Sequence, residues 1–119
     1  MDDKSQIKEL NQISDDDFIL DIGPKTLNKI KHIIGNSETI LWNGPAGYFE
    51  NPNFANGSYE IAKEIIKKKS IYSVAGGGDT IAVLNQINAT KDFDFISTAG
   101  GAFLEYLEGK ELPGIKALN

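Results

Sequence analysis

Cysteine does not occur in this chain, and neither does arginine: the 12 basic residues are all lysine. Without thiols there is no disulfide, no thiolate nucleophile and no cysteine metal site. Without guanidinium groups there is no bidentate clamp for carboxylate or phosphate, and no arginine to stabilise a transferring phosphoryl group. Any such chemistry must draw those groups from outside these 119 residues. Long apolar runs are also missing. No stretch approaches the ~20 residues that span a bilayer, and no leader pattern opens the chain, so no membrane is expected and a cytoplasmic setting is. Positive charge is scarce as well. The 17 acidic residues outnumber the basic ones and leave a net charge of −5, which argues against nucleic acid or an anionic membrane as the main partner.

What is present is 40% hydrophobic residues at a mean hydropathy of −0.27, the balance of a soluble globular chain. The length allows one domain at most, able to bury roughly two-thirds of its unfolded surface. Residues 1–14 read as a polar lead-in. Asp15, Asp16 and Asp17 follow as a solvated turn, since like charges at this density repel. From there the pattern is regular. Residues 18–22 read as a buried strand stopped by Gly23-Pro24. Proline suits a first helical turn, and Leu27, Ile30, Ile33 and Ile34 fall on one helical face, with Gly35 expected to end the helix in the left-handed region. A second strand spans 39–42, a loop carries Gly44, Pro45 and Glu50, and a helix is expected over about 53–69. Phe54, Ile61, Ala62, Ile65 and Ile66 form its apolar face, and the lysines at 67–69 complement its dipole. A third strand (70–75), a glycine turn, a helix to Ile87, a fourth strand (93–97) and a helix over 103–108, stopped by Gly109, complete the series.

Strands alternating with helices specify an α/β fold: an open parallel sheet of about four strands with helices on both faces, a Rossmann-like αβα arrangement. Ligands in such sheets bind beyond the carboxyl ends of the strands. The glycine turns at Gly23, Gly44, Gly76 and Gly100 all lie on that edge. Gly76-Gly77-Gly78-Asp79-Thr80 is the most pointed of them. Open N–H groups at a helix start favour an anion, and glycine lets a phosphate approach because no Cβ intervenes. Asp79 makes sense beside a phosphate if a divalent cation lies between, as Mg²⁺ does in binding one or two carboxylates plus phosphates. The alternative is a packing turn with Asp79 or Thr80 as helix cap. Walker A is excluded, since the only Gly-Lys, at Gly109-Lys110, is followed by Glu111. The dinucleotide fingerprint fails at Ile81. Glu50 could accept from ribose hydroxyls or be an ordinary loop acid. Trp42 and Phe49 read as anchors of the core or loop, and His32 as a surface histidine far from the glycine edge. Ser97 and Thr98 have no histidine near the strand ends to activate them, which argues against nucleophilic hydrolysis.

Five stretches in series carry a resemblance: 20–26 (LDIGPKT), 41–50 (LWNGPAGYFE), 76–80 (GGGDT), 97–102 (STAGGA) and 104–114 (LEYLEGKELPG). In order and spacing they resemble phosphoglycerate kinase. The resemblance implies that residues 15–119 are part of the C-terminal, nucleotide-binding domain of an enzyme that moves a phosphoryl group between 1,3-bisphosphoglycerate and ADP. It implies that Asn43, Gly44 and Pro45 line the adenosine pocket and that Glu50 holds the ribose. It places the amides of Gly76, Gly77 and Gly78 at the nucleotide phosphates and the phosphoryl in flight, Asp79 on Mg²⁺ and Thr80 on phosphate. Gly100 and Gly101 then supply a second helix start that balances transition-state charge. ADP or ATP and Mg²⁺ are the implied cofactors. Two positions depart from the family: Ala99 stands where a third glycine is usual and Phe103 where a serine is. The phosphoglycerate-binding N-terminal domain, with its arginine-rich patch, is not in this chain, which matches the absence of arginine. The expectation is a nucleotide-binding piece of an enzyme monomeric when intact, inactive alone and able to self-associate through a bare sheet edge. A stand-alone binding module without catalysis is the other reading, and a purely structural α/β domain a third.

Overall fold

A computed structural model describes residues 5–98 and 100–109. The elements run α1 (Pro24–Gly35), β1 (Thr39–Asn43), α2 (Asn56–Lys67), β2 (Tyr72–Gly76), α3 (Gly78–Gln86), β3 (Phe95–Ser97) and α4 (Gly100–Leu107). Short 3-10 turns stand at Leu10–Gln12, Pro52–Phe54 and Thr90–Asp92. The three strands are parallel in the order β1-β2-β3, with Asn43 aligned to Gly76 and Gly76 aligned to Ser97. Right-handed crossovers in that order put α2 and α3 on one face of the sheet. The helices agree, since α2 packs against both α1 and α3.

The core forms between those helices and one sheet face. Trp42 and Ala75 face inward with Ile61, Ile65, Val83 and Leu84, and the Trp42 ring lies tilted against Phe93 at a centroid distance of 6.4 Å. Trp42 and Phe49 are therefore core anchors, as expected, and His32 is exposed. On the opposite sheet face Leu41, Val74 and Phe95 stand in one row. Only Val74 is buried; Leu41, Phe95 and the neighbouring Tyr72 are 38%, 49% and 54% exposed, although α4 also packs against β2. The short β3 is held in register by a side chain. Asp94 Oδ2 accepts from Ser73 N (2.7 Å) and Ser73 Oγ (3.3 Å), and Asp94 N donates back to Ser73 Oγ (3.2 Å).

Four expectations are corrected. Residues 18–22 form no strand, so the described sheet has three strands rather than four; Phe18 and Ile19 are 83% and 74% exposed. An apolar run reports that a segment can be buried, not that a neighbouring strand is within reach, and among the described residues none pairs with it. Gly35 stays in the helix, and the cap is Asn36 at φ −101°, whose N–H donates to Ile33 O while Ser37 N donates to Ile34 O. The remaining C-terminal carbonyls are met by side chains, with Asn36 Nδ2 donating to His32 O (3.0 Å) and Lys68 Nζ to Gly35 O (2.7 Å), while Ser37 Oγ adds a second bond to Ile33 O (2.7 Å), so no left-handed glycine is required. That cap occurs instead at Asn88 after α3, at φ 56°, and at Gly109 after α4, at φ 86°. Ile33 is 64% exposed, because α2 covers only the stripe of α1 that carries Leu27 and Ile34. The expected helix over 53–69 divides: Pro52–Phe54 is a separate 3-10 turn and Lys68 is already extended. Ala99 lies outside the described residues, as does the side chain of Phe103, and the expected tail lies there too.

Candidate functional site

The site is assembled where β1 and β2 end. Gly76 is the buried last residue of β2, and the chain leaves it through Gly77 at φ 94°, a conformation that only glycine adopts without strain. Gly77 N donates to Ser97 O at 3.0 Å, which ties the turn to the end of β3, and Gly77 O accepts the first helical bond of α3 from Ile81 N. The N–H groups of Gly78, Asp79 and Thr80 are then the open donors of the α3 start. Gly78 and Asp79 are exposed, and a Cβ on Gly78 would meet nothing within 4 Å. Asp79 stands in the first turn, where a carboxylate is favoured by the dipole.

The loop after β1 reaches this helix start. Gly44, at φ 112°, donates its N–H to Thr80 Oγ1 at 2.7 Å, and a Cβ on Gly77 would come within 3.1 Å of Asn43 Oδ1. Asn43, Gly44, Gly77 and Thr80 are thus brought together by the fold, with Pro45 next in the chain and half-buried. Thr80 is only 1% exposed, and its hydroxyl is engaged by the Gly44 amide. Glu50 is exposed on the turn closed by Asn51 N donating to Tyr48 O, and it makes no hydrogen bond to Asn43, Gly44, Gly77 or Thr80. Gly100 and Gly101 open α4, directly beyond β3. Two helix starts, α3 and α4, therefore follow adjacent strand ends aligned at Gly76 and Ser97.

The donor set bears on a metal. Among the described residues no three carboxylate or histidine side chains cluster. A cation at Asp79 would therefore have no more than two such protein ligands, which fits Mg²⁺ completed by phosphate oxygens and water rather than a metal caged by protein.

Reading the sequence missed three groups that build this edge. Ser58 Oγ, fully buried, accepts from Ala46 N at 2.9 Å. Asp21 Oδ2 accepts from Gly57 N at 3.0 Å, in the first turn of α2, and Leu20 O accepts from Tyr48 N at 2.7 Å. The available signal was Asn56-Gly57-Ser58, a glycine and a hydroxyl opening an amphipathic helix, once the helix start is set at Asn56 rather than Asn53.

No helix among the described residues is long and apolar enough to cross a membrane. The family model for phosphoglycerate kinase matches residues 1–110. The chain is 50% identical over 112 residues to phosphoglycerate kinase of Zymomonas mobilis, covering 92% of this chain and 28% of that protein. It is 44% identical over 118 residues to that of a Chelativorans species, covering 97% and 30%. Its fold superposes on phosphoglycerate kinase from Coxiella burnetii with a TM-score of 0.87 at 42% identity, covering 98% of this chain and 30% of that one. On the Pyrococcus horikoshii enzyme the TM-score is 0.73 at 41% identity, covering 85% and 24%. The chain thus spans about 30% of the length of such relatives. With this sheet, these glycine turns and these matches, the chain belongs to the phosphoglycerate kinase family.

Proposed function

We propose that this chain is the nucleotide-binding part of a phosphoglycerate kinase, which transfers a phosphoryl group between 1,3-bisphosphoglycerate and ADP. The observation that carries the reading is the open start of α3 beside the Asn43–Gly44 turn, linked by the Gly44–Thr80 bond. On this reading Asn43, Gly44 and Pro45 line the adenosine side and Glu50 takes the ribose. The amides of Gly78, Asp79 and Thr80 face the phosphates. The engaged N–H of Gly77 and the buried hydroxyl of Thr80 narrow the cradle to those backbone donors. Asp79 holds Mg²⁺, which when bound neutralises phosphate charge. Gly100 and Gly101 present the second set of helix-start donors to charge developing in transfer.

The chain alone binds but does not turn over. Phosphoryl transfer depends on positioning two substrates and stabilising charge, and a chain with no arginine that spans 30% of its relatives supplies one half of that arrangement. The phosphoglycerate-binding half belongs to the remainder of the enzyme, which is cytoplasmic and monomeric when whole. Calorimetry with Mg-ADP tests the reading. Binding that requires the metal and is lost in Asp79→Ala supports it. No binding by the unaltered chain, or equal binding by Asp79→Ala, rejects it. A coupled assay with ATP and 3-phosphoglycerate is expected to give no turnover above background.

A further inference from the structure

Three alternate amides of the loop after β1 are each held by a different part of the molecule. Gly44 N donates to Thr80 Oγ1 on α3, Ala46 N to Ser58 Oγ on α2, and Tyr48 N to Leu20 O in the segment before α1. An irregular loop has no ladder to satisfy its amides, so these acceptors determine its path. Both hydroxyls are buried, Ser58 at 0% and Thr80 at 1%, so water is a poor substitute for either. The fit is close at the centre of the loop: a Cβ on Gly47 would lie 2.6 Å from Leu20 O and 2.9 Å from Phe54 O. The Leu20 carbonyl is itself fixed, because the adjacent Asp21 carboxylate accepts from Gly57 N at the start of α2. Residues 18–22 make no strand, yet they back this loop.

We propose that Ser58 and Thr80 are positioning residues for nucleotide binding, bracing the Gly44–Tyr48 loop against α2 and α3. The proposal rests on the nucleotide reading above. Neither hydroxyl needs to touch the base. Thr80 adjoins Asp79 on α3, so one bond joins the loop to the helix start assigned to phosphate, and the adenosine and phosphate ends keep a fixed separation. Ser58 holds the middle of the same loop and acts only on the adenosine side.

The test combines site-resolved amide hydrogen exchange by NMR with calorimetry, using Mg-ADP and Mg-pyrophosphate as probes. Ser58→Ala is expected to speed exchange of the Ala46 amide about tenfold, the loss of one hydrogen bond, while β2 amides stay unchanged. The same variant should weaken Mg-ADP about tenfold and leave Mg-pyrophosphate unchanged, a split that general destabilisation would not produce. Thr80→Val should release the Gly44 amide, and Thr80→Ser should restore both protection and Mg-ADP affinity. Unchanged Ala46 exchange in Ser58→Ala overturns the brace. Faster exchange with unaltered Mg-ADP affinity, or equal weakening of both ligands, overturns the positioning role. If the unaltered chain binds neither probe, the nucleotide reading fails, and exchange alone then decides whether the brace exists.

Discussion

At the scale of single residues, the glycines divide by what surrounds them. Gly57 is closed in by the Asp21 carboxylate and Ile22 Cγ1, and Gly47 by two backbone carbonyls. Alanine at either position must move main chain or a fixed carboxylate, and overpacking of this kind costs roughly 1–3 kcal/mol. Gly77 has a different constraint, since its φ of 94° strains any side chain whatever the space. Gly78 has neither: nothing lies within 4 Å of its Cβ position and its φ is not positive. Gly78→Ala is therefore expected to match or exceed the parent in stability, by up to about 1 kcal/mol, while weakening Mg-ADP because the methyl fills the path of a phosphate. Gly57→Ala and Gly47→Ala should instead lower the thermal midpoint. Thermal unfolding followed by calorimetry on the three variants separates the two classes; loss of stability in Gly78→Ala with unchanged affinity would contradict the assignment.

Between α1 and α2, charge contributes through one shared carboxylate. Lys31 on α1 donates to Glu60 on α2 at 3.1 Å, and Lys63 stands 3.7 Å from the same carboxylate. The Lys31 hydrogen bond is the main reason the Glu60 carboxyl is held below its ordinary value, with the Lys31 and Lys63 charges adding and partial burial opposing. A carboxyl depressed in the folded state stabilises the fold above its unfolded value, and that contribution is lost as pH falls through the folded value. The pair is partly exposed, so its worth is about 1 kcal/mol or less. Glu60→Gln is expected to lower the thermal midpoint slightly near neutrality, where the carboxylate contributes, and to converge on the parent between roughly pH 5 and 3 as that contribution is lost. A pH series of melts on both proteins checks this; parallel curves would show that the α1–α2 contact owes nothing to the carboxylate.

The helices that meet in that contact were legible in the sequence because their apolar spacing matches 3.6 residues per turn, as in Leu27 with Ile34 and Ile61 with Ile65. The segment 18–22 was not, because a strand needs a neighbour and local pattern carries no information about one. The glycine edge was legible as a set of turns on one side of the sheet. The bonds that give the edge its shape were not, since Gly44 to Thr80 and Gly57 to Asp21 both join residues 36 apart.

For the whole molecule, the sheet sets the expected behaviour in solution. Among the described residues no strand pairs with the outer edge of β1, and Leu41, Tyr72 and Phe95 are exposed on one face. Open edges and apolar rows invite pairing with a second chain. We propose that the 119-residue chain self-associates with rising concentration. Phe95→Lys, which puts a charge on that face at a partly exposed position, should shift the association to higher concentration. Light scattering across a dilution series measures both, and a monomer at every concentration removes the expectation.

Composition and pattern, read without coordinates, determined that this is an α/β chain, that the glycine turns after its three strands share one edge, and that no arginine is available for phosphoryl transfer. Those properties depend on residue type and short-range spacing, which the sequence contains directly. Tertiary structure alone decided that Gly77 spends its amide on Ser97, that Thr80 turns its hydroxyl to Gly44, and that Ser58 and Asp21 belong to the site's framework. The physical reason is that a hydrogen bond is specified by where donor and acceptor meet in space, and for these groups that meeting exists only once the sheet and its helices have packed.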